Sequence, residues 1–362
     1  MLTSSWTKTL RPLVIAAVAG ALSVAVLPAQ QAQAATVTYQ ISTLGDSWAS
    51  GEGNPPYSSD PACDRSNNSW SHQVKLPNGH TVDYSISTGS ATLQVLACQG
   101  ATTANITDKS QVIDGTWTRV PQIGPANVHA THVFLSISGN DMDFGYIMEN
   151  CFQACQGTIN QARPKISAAM KGLTRDIKMI HTNAPQAQII LTGYAPLVGV
   201  DSYWKDNATL LKSFALEFNA EEKATVKSLQ NLGIDVDFVD LVPTFAGHGD
   251  GDVSKAWILP PDFGTRYALH PNRDGVAEIA RLVSKVVEQP FTGSCSGNVS
   301  SGMTGNCVRE VQNHLNAWGS SLTVDGDFGA KTKAAVVAFQ KAHKLSADGI
   351  VGPKTKAALF QF

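Results

Sequence analysis

Val37-Thr-Tyr-Gln-Ile-Ser-Thr-Leu44, followed at once by Gly45-Asp46-Ser47-Trp-Ala-Ser-Gly51-Glu-Gly53, is the stretch on which the fold turns. Its first part is rich in β-branched, aromatic and aliphatic residues that suit a buried strand, and Gly45-Asp46 stops it. Asp and Ser favour helix N-termini, so the chain is predicted to pass from strand into helix at Ser47. That turn would expose the Ser47 Oγ at the sheet end and aim its own N–H into the same space. Further apolar runs repeat the pattern. Val133-Phe-Leu-Ser-Ile137 ends at Gly139-Asn140-Asp141, Ile189-Ile-Leu-Thr192 ends at Gly193, and Ile234-Asp-Val-Asp-Phe-Val239 is a fourth. Helical stretches are expected over 159–183, 208–232 and 272–288. Strands alternating with helices indicate a parallel sheet covered on both faces, with functional groups at the carboxyl ends of its strands.

The 362 residues leave room for two domains. At 43% hydrophobic and 15% charged the composition is that of a globular protein. A formal charge of −2 gives no electrostatic support to a nucleic-acid partner. Lys8 and Arg11 precede the apolar run from Leu13 to Leu27, and Ala32-Gln33-Ala34 puts small residues at a cleavage site. Residues 1–34 are therefore expected to be a secretory signal peptide, cut after Ala34. A membrane anchor is the rival, but the run is shorter than a comfortable span. No later segment is apolar enough to cross a bilayer. A secreted monomer, extracellular or bound at the cell wall, is expected. Six cysteines (Cys63, Cys98, Cys151, Cys155, Cys295, Cys307) lie beyond that segment, which in an exported chain reads as three disulfides. Proximity favours Cys63–Cys98, Cys151–Cys155 and Cys295–Cys307 over the other pairings. Zinc is the rival reading, but Cys151-Phe-Gln-Ala-Cys155 has no second Cys/His pair at finger spacing. No metal and no cofactor are expected.

Four segments carry chemistry, and each also has a purely structural reading. Ser47 in Gly45-Asp-Ser47 is a candidate nucleophile, or a capped turn; no G-x-S-x-G elbow occurs in the chain. Gly100 in Ala97-Cys-Gln-Gly100 would let a backbone N–H approach a developing negative charge without Cβ obstruction, or be a plain turn. Asn140 in Ser138-Gly-Asn140-Asp141 offers an amide donor for an oxyanion, or closes the strand as an Asx-turn. His270 in Tyr267-Ala-Leu-His270-Pro271-Asn272 is placed to take a serine proton, or is an ordinary hydrogen-bonded histidine before a helix that Asn272 caps.

Together these segments, in order and spacing, resemble the blocks of the SGNH (GDSL-type) hydrolases over about 250 residues. Gly45–Gly53 and Cys63-Asp-Arg-Ser66 are similar to the secreted actinobacterial branch. The resemblance implies a three-layer α/β/α, flavodoxin-like parallel sheet and carboxyl-ester hydrolysis through an acyl-enzyme. It makes Ser47 the nucleophile, His270 the general base, and Ser47 N–H, Gly100 N–H and the Asn140 side chain the oxyanion hole. The family's usual Asp three residues before the histidine is here Tyr267. A Ser47–His270 dyad is expected, with the Tyr267 main-chain carbonyl accepting from Nδ1; Asp262 reaching in is the competing idea. Two other acidic clusters read as structural. Gly247-His248-Gly-Asp250-Gly-Asp252 lacks the third acidic position of a calcium loop, and Asp141 with Asp143 reads as turn residues rather than a glycosidase pair.

The hydrolase domain is expected over 36–290 and a Gly/Ser-rich linker over 291–302. Residues 303–362 are then expected to form a small three-helix domain. There Asp325-Gly-Asp-Phe-Gly-Ala-Lys-Thr-Lys-Ala-Ala-Val336 recurs as Asp348-Gly-Ile-Val-Gly-Pro-Lys-Thr-Lys-Ala-Ala-Leu359. Each copy reads as an Asp-Gly turn followed by a Thr N-cap, Thr332 or Thr355. The repeat resembles the type 1 peptidoglycan-binding module, which implies a peptidoglycan partner. Seven Lys/Arg against four Asp/Glu over 291–362 would suit an anionic wall. The substrate is then an acyl lipid or an acylated glycan. Two rivals are a zinc-dependent peptidoglycan amidase, for which no H-E-x-x-H spacing exists, and a non-catalytic wall-binding protein.

Overall fold

The computed structural model describes residues 39–58, 62–77, 91–124, 130–151, 154–184, 187–199, 201–204, 206–232, 234–252, 255–261, 267–287, 297–304 and 306–360. The expected signal peptide, Asp262, Cys295 and part of the expected linker lie outside them.

Seven strands are described: β1 Tyr39–Gly45, β2 Ala91–Val95, β3 Gln111–Ile113, β4 Trp117–Arg119, β5 His132–Ser136, β6 Gln188–Thr192 and β7 Val236–Val239. β3 and β4 form a small antiparallel hairpin, and the other five make one sheet in the order β2-β1-β5-β6-β7. Every pairing in that sheet is parallel. Counting its strands alone, the order is 2-1-3-4-5, the flavodoxin-like doubly wound arrangement. β5 and β6 are buried along their whole length, which is why both read as unbroken apolar runs. β2 did not. As an edge strand, Ala91-Thr-Leu-Gln-Val95 packs on one side only and carries no continuous apolar signature.

Helices flank the sheet. Lys165–Asn183 packs against Ala208–Gln230, and Trp70–Gln73 packs against Arg273–Val283. The helix expected over 159–183 is two helices, Cys155–Ala162 and Lys165–Asn183. Pro164 sits between them, and its missing N–H and fixed φ break the first. Cys63 is bonded to Cys98 and Cys151 to Cys155. Cys307 is disulfide-bonded as well.

The C-terminal residues form three helices, Asn306–Ala317, Ala330–Ala342 and Pro353–Leu359, around a core that includes Val308, Leu315, Phe328, Val336 and Phe339. Thr332 and Thr355 are not the N-caps expected; Gly329 and Gly352 hold those positions. Each threonine sits one turn further in, buried, where a glutamine claims its hydroxyl. Gln312 Nε2 donates to Asp325, the Asp327 carbonyl and Thr332 at 2.7–3.0 Å, while its Oε1 accepts from Gly326 N–H at 2.9 Å. Gln340 repeats the set with Asp348, Ile350, Thr355 and Gly349 at 2.9–3.1 Å. The sequence repeat is thus a repeat of two buried, fully satisfied amides, the condition under which burying an amide stabilises rather than costs.

Candidate active site

β1 has β2 on one side and β5 on the other, so the chain leaves the ends of β1 and β5 in opposite directions and opens a crevice between them. The two turns at that crevice carry Ser47 and Asn140. After β1, Asp46 caps the short helix Ser47–Ser50, its Oδ1 accepting the Trp48 N–H at 3.0 Å. Ser47 opens that helix and is 9% exposed. Gly45 has to be glycine: at φ 133° an added Cβ would lie 2.0 Å from the Ser136 carbonyl oxygen of β5.

After β5, the turn Asn140–Met142 is a single 3-10 turn. The Asn140 Nδ2 donates to the Ala101 carbonyl at 3.0 Å, which orients the amide. Asp141 does more than close a turn. Its carboxyl accepts from the Thr103 N–H at 2.9 Å and the Thr103 hydroxyl at 2.6 Å, tying the segment after Gly100 to the Asn140 turn. Gly100 has φ 70°, the left-handed region glycine favours.

His270 arrives from the loop before the helix Arg273–Val283, whose N-terminus Asn272 caps by accepting from the Asp274 and Gly275 N–H groups. The loop is pinned to the segment that follows Ser47, since Asn54 Nδ2 donates to the Pro271 carbonyl at 2.8 Å. Its Nδ1 lies 3.0 Å from the Ala268 carbonyl and 3.2 Å from that of Tyr267. Carbonyl oxygens only accept, so Nδ1 holds the proton and Nε2 is left as the basic nitrogen. Glu52, 3% exposed, places Oε2 3.7 Å from Nε2. Burial lowers the imidazole pKa to about 4, with the two carbonyls pulling the other way.

Ser47, Asn140 and His270 line one cavity of about 510 Å3, together with Phe144, Met148, Leu197 and Phe218. Gly100 is not among the residues lining it. The sequence reading also missed Tyr194, which stands in the cavity wall. Its hydroxyl donates to the Asp46 carboxyl and accepts the Gly139 N–H at 3.0 Å. Among the described residues, no group of three His, Cys, Asp or Glu side chains is arranged to hold a metal ion, and no helix is long and apolar enough to cross a membrane.

A doubly wound parallel sheet with a serine, an asparagine amide and a histidine gathered at its switch point defines an α/β protein built for hydrolytic chemistry. Residues 43–277 match the GDSL-like lipase/acylhydrolase family, and the chain belongs to that family. Residues 304–359 match the putative peptidoglycan binding domain. Among solved structures, an extracellular lipase from Streptomyces rimosus is similar, with 23% identity and a TM-score of 0.56 over 68% of this chain and 99% of the lipase. Phospholipase A1 from Streptomyces albidoflavus is similar at 20% identity, with the same TM-score and coverage. These likenesses concern the fold. Comparison with curated proteins gave no match.

Proposed function

We infer that the chain is an exported serine ester hydrolase that forms an acyl-enzyme on Ser47 and is held at peptidoglycan by its C-terminal domain. The observation that carries this reading is the meeting of Ser47, Asn140 and His270 on one cavity, with the free nitrogen of His270 being Nε2. His270 Nε2 takes the Ser47 proton as Oγ attacks the ester carbonyl. The tetrahedral oxyanion is met by the Ser47 N–H and the Asn140 amide. His270 then protonates the departing alcohol, and by the reverse sequence activates the water that frees Ser47. The main-chain carbonyls of Tyr267 and Ala268 do the orienting work that an aspartate does in a triad, so the constellation is a dyad.

The apolar side chains of the cavity suit the acyl half of an ester, and both acyl lipids and acylated glycans present one. Residues 36–290 form the catalytic domain and 303–362 the wall-binding domain, joined through 291–302. Residues 1–34 direct export, in keeping with the disulfides. The test is hydrolysis of a p-nitrophenyl ester series from acetate upward by the mature chain. Activity should survive EDTA and vanish in Ser47→Ala, and the chain should co-sediment with purified peptidoglycan only when residues 303–362 are present. Hydrolysis unaffected by Ser47→Ala would remove the reading.

A further inference from the structure

The Ser47 and Asn140 turns leave different strands, and their side chains must be held at a fixed separation to act on one tetrahedral centre. A misplacement of about 1 Å in such a constellation costs on the order of a hundredfold in rate. A partly buried tyrosine and a buried glutamic acid that the chemistry itself does not use stand where that separation is set.

The Tyr194 hydroxyl is bonded to both turns at once. It donates to the carboxyl of Asp46, the residue before Ser47, and accepts the N–H of Gly139, the residue before Asn140, at 3.0 Å. Tyr194 itself has little freedom. Asn219, 4% exposed, accepts from the Tyr194 N–H at 3.0 Å and donates to its carbonyl at 2.9 Å. The ring sits edge-on to Trp48 with centroids 5.3 Å apart. Gly139 is moulded to it, because a Cβ there would lie 2.9 Å from the Tyr194 Cζ.

Glu222 holds the same turn from below. Ser138 has φ 98°, a conformation that strains a non-glycine residue and persists only where its surroundings impose it. Its Oγ donates to Glu222 Oε1 at 2.8 Å. Glu222 is fully buried, and its Oε2 has no hydrogen-bond partner among the described residues. A carboxyl placed so deep, with half its capacity unused, is a poor way to fill a core. Its one strong bond is to the strained residue next to Gly139. Desolvation raises its pKa well above the ordinary carboxyl range, with the Ser138 hydrogen bond opposing and the proximity of Asp46 adding to the rise. Asn219 and Glu222 lie three residues apart on the helix Ala208–Gln230, which therefore supplies both supports.

We propose that Tyr194 and Glu222 are positioning residues: the tyrosine hydroxyl is a strut that sets the distance between the Ser47 and Asn140 turns, and the glutamic acid fixes the strained Ser138 from which the Asn140 turn springs. The proposal rests on the functional reading above, with Ser47 as nucleophile and Asn140 as an oxyanion donor. Neither group touches the reacting atoms. Their loss therefore lowers the rate of the chemical step rather than the affinity for a small ester.

The test compares Tyr194→Phe, Glu222→Gln, Glu222→Leu and Ser47→Ala in the full chain, reading kcat, KM and Tm with p-nitrophenyl acetate. Tyr194→Phe keeps the ring and removes only the strut, so kcat should fall about 10- to 100-fold with KM within about twofold of wild type. Glu222→Gln retains an oxygen that accepts from Ser138 and should stay within about threefold, while Glu222→Leu should lose as much kcat as Tyr194→Phe. If Glu222→Leu does not fold, Tyr194→Phe and the near-normal kcat of Glu222→Gln still decide the matter. A Tyr194→Phe enzyme with wild-type kcat, or with a change confined to KM, overturns the strut. A Glu222→Gln enzyme as slow as Tyr194→Phe overturns the role of Glu222. Ser47-dependent hydrolysis untouched by these changes sinks this proposal alone, whereas hydrolysis that survives Ser47→Ala sinks the functional reading and this proposal with it.

Discussion

Acidification is the perturbation that most directly probes the burial of His270, the proposed base. The His270 side chain is 14% exposed, and desolvation lowers its pKa from 6.5 to about 4. At about 1.4 kcal/mol for each tenfold change, the gap is worth about 3 kcal/mol in favour of the neutral imidazole. Only the neutral form can take the Ser47 proton. The value of kcat/KM for a short-chain ester reports the free enzyme, so it should stay level from about pH 7 to about pH 5 and decline only near pH 4. Glu52 faces Nε2 at 3.7 Å, and Asp46 and Glu149 line the same cavity. Negative charge on any of them raises the midpoint, and Glu52→Gln should then lower it. Stability follows the same ionisation. The folded pKa lies below the unfolded one, so the unfolded chain binds the proton first as the pH falls. The contribution of His270 is complete above about pH 6.5 and is lost progressively down to about pH 4. The assay is release of the alcohol product in a constant-ionic-strength buffer series, with circular dichroism to confirm that the protein is folded at each pH. An acid limb centred at 6.5 in folded protein would refute the argument, because it would make the imidazole a solvated one.

Asn140→Ala should lower kcat by about 10²–10³ with little effect on KM, the loss expected for one oxyanion donor, as measured by steady-state kinetics. Gly139→Ala should lower both kcat and Tm, since its Cβ meets the Tyr194 ring at 2.9 Å. Gln340→Ala strands the buried Gly349 N–H and the buried Thr355 hydroxyl and should destabilise the C-terminal helices by about 2–4 kcal/mol while leaving ester hydrolysis unchanged; thermal unfolding followed beside activity will show it. Replacing Cys63 and Cys98 together by alanine opens a loop closed across a sequence separation of 35 residues and should cost about 4 kcal/mol on a chain-entropy estimate, read by urea unfolding.

That Ser47, Asn140 and His270 would share one cavity was legible in the sequence because each sits in a short motif at the end of an apolar run or before a capped helix. There local chemistry and position in the fold agree. The parallel sheet was legible in β1, β5 and β6, which are largely buried, and in the edge strand β7, whose Val236 and Val239 are buried. β2, the other edge strand, was silent because Ala91-Thr-Leu-Gln-Val95 carries no apolar run. Tyr194, Asn219 and Glu222 were silent for a different reason. Their partners lie 25 to 148 residues away, so nothing in the local sequence marks them. One signal was present. Asn219 and Glu222 fall on the inward stripe of the helix Ala208–Gln230, among Leu211, Phe214, Phe218 and Val226, where a polar residue demands a buried partner. The threonines of the C-terminal repeat misled because Thr suits an N-cap. Here glycine occupies the cap, and the hydroxyls face inward to the buried glutamines.

Acid quenching of the chain during turnover of a p-nitrophenyl ester, followed by peptide mass spectrometry, asks directly which atom carries the acyl group. An adduct of the acyl mass on the peptide containing Ser47, absent in Ser47→Ala and accumulating in His270→Ala only at a much reduced rate, is the predicted result. Steady hydrolysis with no adduct on that peptide, or with the adduct elsewhere, would contradict it.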